Sequence, residues 1–133
     1  MYKESELTGK IIGTALSVHR DVGQGFQERI YHRAMIVALR NAGMKVESEK
    51  EYDIQYQDTW IGTFRLDLVV ENKVVVELKA VHGEIPKLFY TQTISYLKAS
   101  NMEVGLLINF SNESLNVKRF ANYAEFNKQR NPK

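Results

Sequence analysis

Apolar residues recur at Leu7, Ile11, Ala15 and Val18, the spacing of one helical face over residues 7–22. Gly23-Gln-Gly25 interrupts that pattern. A second helical stripe follows at Tyr31, Ala34, Met35, Ala38 and Leu39 and stops at Gly43, which reads as a C-terminal glycine cap. Two antiparallel helices joined by a glycine turn are expected. The period then changes to two. Val46, Tyr52, Ile54 and Tyr56 alternate with Glu47, Glu49, Glu51 and Asp53, which predicts a strand with one wet face. Gln57-Asp58-Thr59 is polar enough to turn. Residues 60–70 and 74–81 read as two further strands separated by Glu71-Asn72-Lys73. Pro86 marks the start of a helix over 88–99, with Leu88, Leu97 and Ala99 as its core stripe. Residues 104–110 are almost continuously apolar, which suits a strand covered on both faces. An Asn-rich loop, a short element at 115–120 and a polar tail complete the chain.

The element order is therefore α-α-β-β-β-α-β with a small addition. The first three strands form an antiparallel meander. The helical connection from the third strand to 104–110 is long enough for a right-handed parallel crossover. An α/β sandwich with a mixed sheet and helices on its faces is expected. The 133 residues suit one domain over 1–133, with a core at about 7–120 and a basic polar tail at 121–133.

Composition narrows the class. The chain is 44% hydrophobic and 26% charged, which excludes a disordered tail, a collagen-like repeat and a membrane span. It has no cysteine, so neither a disulfide framework nor a thiolate metal site is available. The first residues are charged and lack the apolar run of a secretion signal, so a cytoplasmic location is expected. The net charge of +2 is uneven: residues 115–133 carry +4 and the rest −2. A basic tail suits phosphate contacts, and it equally suits a solvated, frayed terminus. The acidic strand at 46–56 reads as a guard against edge pairing.

The chemistry concentrates in Arg65-Leu-Asp67-Leu-Val-Val-Glu-Asn-Lys-Val-Val-Val-Glu77-Leu-Lys79. Glu77 and Lys79 are two apart and share a face. Leu66, Leu68 and Val70 mark the opposite, core-facing side of one strand, and Val74, Val76 and Leu78 that of the next. Both apolar sets lie on one side of the sheet only with the right register parity. The three-residue loop at 71–73 meets that condition and sets Asp67 opposite Glu77. Opposed residues have Cβ atoms about 4.5–5.5 Å apart. Two carboxylates that close repel unless a cation lies between them or one takes a proton. Mg²⁺ accepts such hard oxygen ligands. The alternative is a solvated hairpin face with an ion pair from Lys79 to Glu77 or Asp67.

Gly25-Phe-Gln-Glu28-Arg-Ile-Tyr31 opens the second helix, with Glu28 and Tyr31 on one face and Glu28 in the dipole-favoured first turn. Gln92 and Tyr96 share a face of the third helix, which by itself reads as a polar border to the core stripe. His19, His32 and His82 read as structural or surface residues.

The ordered set Gly25-x-x-Glu28-x-x-Tyr31, Asp67, Glu77-Leu-Lys79, Gln92-x-x-x-Tyr96 and Gly105-Leu-Leu-Ile-Asn-Phe110 resembles the GxxExxY proteins of the PD-(D/E)XK nuclease superfamily. The resemblance spans about residues 7–120 and implies a restriction-endonuclease-like core. It also implies a Mg²⁺- or Mn²⁺-dependent phosphodiesterase acting on DNA or RNA. By position, Asp67 and Glu77 would ligate the metal, with the Leu78 carbonyl as a third oxygen. Lys79 would orient the attacking water and stabilise developing charge, and Glu28 would complete the site. Gln92, Tyr96 and Tyr31 would lie beside it. Leu66 stands where the superfamily name has proline, a common departure.

Two functions follow from these residues: a small metal-dependent nuclease, or a catalytically silent module of the same fold that binds nucleic acid or a protein. Retention of Asp67, Glu77 and Lys79 together leans towards the nuclease. Cleavage of a duplex needs two sites, which a homodimer supplies. Phe89 and Tyr90 beside Leu88 offer apolar width for such a contact or for burial against the second helix.

Overall fold

The two N-terminal stripes form α1 (Ser5–Val22) and α2 (Glu28–Asn41) in a computed structural model that describes residues 3–122. Most of the basic tail at 121–133 lies outside the described residues. Ile11, Ala15 and Val18 of α1 and Tyr31, Met35 and Leu39 of α2 are buried, as helical periodicity requires. The turn between the helices uses positive φ at Gly23 (82°) and Gly25 (96°). The Tyr31 hydroxyl donates to the Gly23 carbonyl at 2.7 Å and accepts from the Phe26 N–H at 3.3 Å, which ties the turn to α2. Gly43 (φ 88°) ends α2 as expected: its N–H donates to the Arg40 carbonyl and the Met44 N–H to the Leu39 carbonyl.

The chain then forms β1 (Val46–Tyr56), β2 (Thr59–Val70), β3 (Val74–Lys79), α3 (Lys87–Ser100), β4 (Val104–Asn109) and β5 (Asn116–Ala121). The five strands lie in that order in one mixed sheet. β1, β2 and β3 are an antiparallel meander, α3 carries the chain to a parallel β4, and β5 returns antiparallel. The expected order is present, and the short element at 115–120 is a fifth strand on the edge opposite the acidic β1. No described helix is long and apolar enough to cross a membrane.

Helices cover both faces. α1 and α2 pack on Leu68, Val70, Val74, Val76, Leu78, Val104, Leu106 and Ile108. α3 packs on the other face, where Leu97 meets Phe64, Leu66, Val69 and Val75. All six residues of β4 are buried, which explains its continuous apolar run.

Two expectations need correction. Leu66 does not share a core with Leu68 and Val70; it joins Phe64 on the α3 side. β1 makes the same exchange, with Val46 in the α1/α2 cluster and Tyr52 and Ile54 against the α3 cluster. The cause is the end of the β2–β3 ladder at Leu68↔Val76, while β1–β2 pairing runs on to Tyr56↔Thr59. Freed from β3, the hairpin coils over α3. Glu49, which stands opposite Asp67, has a positive φ of 52° and breaks the alternation at that row. The α3 stripe is also not Leu88, Leu97 and Ala99. Leu88 is 71% exposed and Ala99 is exposed, while Thr93 and Leu97 are buried. Phe89, Tyr90 and Tyr96 are the half-buried rings flanking that stripe. Tyr90 packs edge-on against Phe120 of β5 rather than against the second helix.

Candidate active site

Asp67 and Glu77 sit where β2 parts from β3. The loop at 71–73 uses positive φ at Glu71 and Asn72 and closes with the Lys73 N–H on the Val70 carbonyl at 3.0 Å. Counting on from Val70↔Val74 and Leu68↔Val76 brings Asp67 level with Glu77, as the loop length predicts. Main-chain pairing has ended there, and the side chains replace it. Asp67 Oδ2 accepts the Leu78 N–H at 2.8 Å, and Glu77 Oε1 faces the Asp67 N–H at 3.4 Å.

Glu77 is only 4% exposed. Burial pushes its carboxyl up to about 9, and the Asp67 charge and hydrogen bond add to the rise. Glu28, at the start of α2, is raised from the ordinary value by partial loss of water. The attraction of Lys79 opposes that shift and the charge of Asp67 adds to it. These mutual effects bring Glu28, Asp67, Glu77 and Lys79 into one neighbourhood.

Lys79 ends β3, where the Phe110 N–H donates to its carbonyl at 3.0 Å. Its Nζ lies 4.3 Å from the centroid of the Phe89 ring in the first turn of α3. Tyr96 stacks on Phe64 at 4.9 Å, and Phe64 stacks on Tyr52 at 5.5 Å. The Tyr96 phenol is raised by burial and by the nearby charges of Glu77 and Asp67. Gln92 is half-buried, one helical turn from both Phe89 and Tyr96, so the three form a stripe of α3 along the carboxylate side.

Tyr31 stands apart from this group. It is fully buried, stacks on Phe110 at 4.8 Å, and its hydroxyl holds the turn before α2. The Leu78 side chain faces the α1/α2 core, and its N–H binds Asp67. His19 bonds the Asn112 carbonyl oxygen at 2.8 Å and His32 the Ser48 hydroxyl at 2.9 Å, while His82 is exposed.

The sequence marks Phe89 only as apolar width, Asn109 only within the 105–110 motif and Asn112 only as part of an Asn-rich loop, with no role at the site for any of the three. Asn109 is fully buried. Its side-chain amide accepts from the Val81 N–H at 2.8 Å and donates to the Val81 carbonyl at 2.7 Å. Asn112 makes the same pair with Gly83, at 2.8 and 2.7 Å. These two clamps fasten the β3–α3 connection to the end of β4. The available signal was weak: a polar residue closing an apolar strand, followed by a second Asn three positions on.

Among the described residues no three His, Asp or Glu side chains group closely enough to form a cage for a metal ion. Two carboxylates do meet, and the Asp67 charge adds to the rise that burial gives Glu77. Mg²⁺ commonly takes one or two carboxylates and fills its shell with water and phosphate oxygens, so this pair fits it.

A family model described as the PD-(D/E)XK nuclease superfamily matches residues 5–120. The solved structure titled "Crystal structure of SSO0001" is similar with a TM-score of 0.58 and 21% identity, over 71% of this chain and 50% of that one. The likeness is one of fold, and this chain spans about half the length of that relative. No curated protein matches the chain. On the match from residue 5 to 120, the chain belongs to the PD-(D/E)XK nuclease superfamily.

Proposed function

We propose that this protein is a metal-dependent phosphodiesterase that hydrolyses DNA or RNA, and that within its superfamily it stands with the GxxExxY proteins. The observation that carries the reading is the reciprocal Asp67–Glu77 arrangement at the point where β2 leaves β3, with the Lys79 ammonium close by. Asp67 and Glu77 would hold Mg²⁺ or Mn²⁺, with the Leu78 carbonyl as a third protein oxygen. When bound, the metal supplies Lewis acidity to a phosphate oxygen and lowers the pKa of a bound water.

The rest of the work falls to the protein. Asp67 is oriented by the Leu78 N–H, so its carboxylate does not have to reorganise to serve as a ligand. Glu77 would bind such a cation as the ionised carboxylate, so its proton would have to leave first. Lys79 places a positive charge where negative charge develops on the phosphoryl oxygens. Glu28 completes the site as a carboxyl group whose proton affinity is raised by partial burial, which suits it to take part in proton transfer. Gln92 and Tyr96 border the site on α3 and offer polar contacts to the substrate strand. Two copies of the chain in a homodimer would serve both strands of a duplex.

The test is cleavage of labelled single- and double-stranded DNA and RNA oligonucleotides with Mn²⁺, comparing wild type with Glu77→Gln and Lys79→Ala. Wild-type cleavage that EDTA abolishes and both variants lose by at least about a hundredfold supports the reading. Tight oligonucleotide binding with no cleavage of any substrate favours a silent binding module of the same fold.

A further inference from the structure

We infer that Phe89 is the positioning residue for Lys79: its ring holds the ammonium in place and keeps it from collapsing onto Asp67 and Glu77. The inference rests on the nuclease reading only for what the held ammonium then does. The holding itself is read from the geometry. Nζ stands 4.3 Å from the ring centroid, well inside the roughly 6 Å range of a cation–π contact. Glu28 and, once ionised, Glu77 attract this charge, yet none of the ion pairs among the described residues includes Lys79. A flexible four-carbon stem beside carboxylates would ordinarily find one of them. The aromatic face supplies a competing site for the cation.

Both ends of the contact are fixed. The Lys79 carbonyl is held by the Phe110 N–H. Phe89 follows Pro86 (φ −56°), donates its N–H to the Pro86 carbonyl at 3.0 Å, and accepts the Thr93 hydroxyl at 2.8 Å on its own carbonyl. The connection from Lys79 to Pro86 is clamped by Asn109 at Val81 and by Asn112 at Gly83. The backbone that carries the ring is therefore held at a fixed place relative to the end of β3. A leucine at position 89 fills much of the volume and offers no negative face, so it separates ring electrostatics from plain packing. Released from the ring, Lys79 would bridge the two carboxylates, compete with a divalent cation for them, and withdraw its charge from the phosphate.

Two measurements on the full chain test this. In metal-free protein with ¹³C-labelled lysine, the Lys79 ε-methylene protons, assigned by their loss in Lys79→Met, should be shifted upfield by the ring. Phe89→Tyr should keep that shift and Phe89→Leu should lose it, in spectra that otherwise remain dispersed. By titration calorimetry, Phe89→Leu should weaken Mn²⁺ binding about tenfold, Phe89→Tyr should not, and Phe89→Leu should have no effect in a Lys79→Met background. An unshifted Lys79 in wild type, or an equal loss from Phe89→Leu with and without Lys79, overturns the inference. An intact, Phe89-dependent shift without Mn²⁺ binding at millimolar metal supports Phe89 as the holder of Lys79 and removes the metal-dependent reading instead.

Discussion

Asp67 and Glu77 have exchanged strands: the Asp67 carboxylate accepts the N–H of Leu78 on β3, and the Glu77 carboxylate faces the N–H of Asp67 on β2. The pair thus fills the gap that the parting ladder leaves, with side-chain acceptors in place of main-chain carbonyls. It also leaves two carboxyl groups in a space that tolerates one negative charge. The site is held together by the same contacts that strain its electrostatics.

The first consequence is a stability that falls as pH rises. In the unfolded chain a glutamate titrates near 4.3, roughly, while in the fold Glu77 is pushed up to about 9. The folded state therefore binds more protons than the unfolded state between those values. Its contribution is full below the unfolded value and is lost as pH climbs through the folded one. The proton belongs to the Asp67–Glu77 pair rather than to one residue. In urea denaturation with EDTA, wild type should lose stability from pH 5 to pH 9, by at most about 1.4 kcal/mol per pH unit from this source. Glu77→Gln should flatten that slope and be the more stable protein at the alkaline end. A wild-type midpoint that rises with pH, or a slope that survives Glu77→Gln, contradicts the arrangement.

Asp67 has two jobs that substitution can separate. Asp67→Asn keeps an oxygen for the Leu78 N–H and removes the charge, so the fold should hold while Mn²⁺ binding drops by about tenfold or more. Asp67→Ala removes both, leaves the Leu78 N–H without its acceptor, and should cost about 1–3 kcal/mol of stability as well. Calorimetric titration with Mn²⁺ and urea denaturation of the same samples read the two effects independently. Equal stability of the Asn and Ala variants would mean that the Leu78 contact has no structural worth.

Much of this site was legible because its residues obey simple periodicities. The three-residue loop fixes which residues face one another, and parity alone brings Asp67 level with Glu77. The helical stripes of α1 and α2 and the glycine cap at Gly43 follow from spacing and backbone freedom. What failed were positions where tertiary geometry overrides period. Leu66 has the parity of Leu68 yet faces α3, because β2 outruns β3 and the hairpin coils at the Glu49–Asp67 row. Leu88 has an apolar side chain at the start of α3 yet is exposed, because the buried stripe of that helix runs through Thr93 and Leu97. Tyr31 belongs to the motif that suggests the site, but its hydroxyl serves the turn. Phe89 reads in the sequence only as apolar width, because its contact with Lys79 joins the end of a strand to the start of a helix, a distance no sequence period encodes.

Lys79 should separate chemistry from metal binding. Its ammonium makes no ion pair with Asp67 or Glu77 among the described residues, so Lys79→Ala leaves the carboxylate pair intact. Mn²⁺ affinity should stay within about twofold of wild type, or rise as a competing cation is removed. The cleavage rate at saturating oligonucleotide should fall about 10²–10³-fold, the usual cost of losing one preorganised charge-stabilising group. Unchanged cleavage in Lys79→Ala would place the work of charge stabilisation on some other group.

The last prediction concerns Asn109, which carries no chemistry of its own. It is fully buried at the end of β4, level with Lys79 in the parallel ladder, and its amide satisfies both main-chain groups of Val81. Leucine is close to asparagine in size but offers neither donor nor acceptor. Asn109→Leu therefore leaves the half-buried Val81 N–H and carbonyl without their partner and should cost about 1–3 kcal/mol, since water can reach them only in part. Asn109→Asp keeps the acceptor for the Val81 N–H but sets a carboxylate oxygen against the Val81 carbonyl, so it should recover stability only at a pH low enough to protonate it. Because Val81 begins the connection between Lys79 and Phe89, loosening this clamp should also broaden the Lys79 ε-methylene signals. Asn112→Ala should do less, since its clamp at Gly83 is exposed and water can replace it. Equal costs at the two positions would show that burial of the Asn109 pair is not what makes it matter.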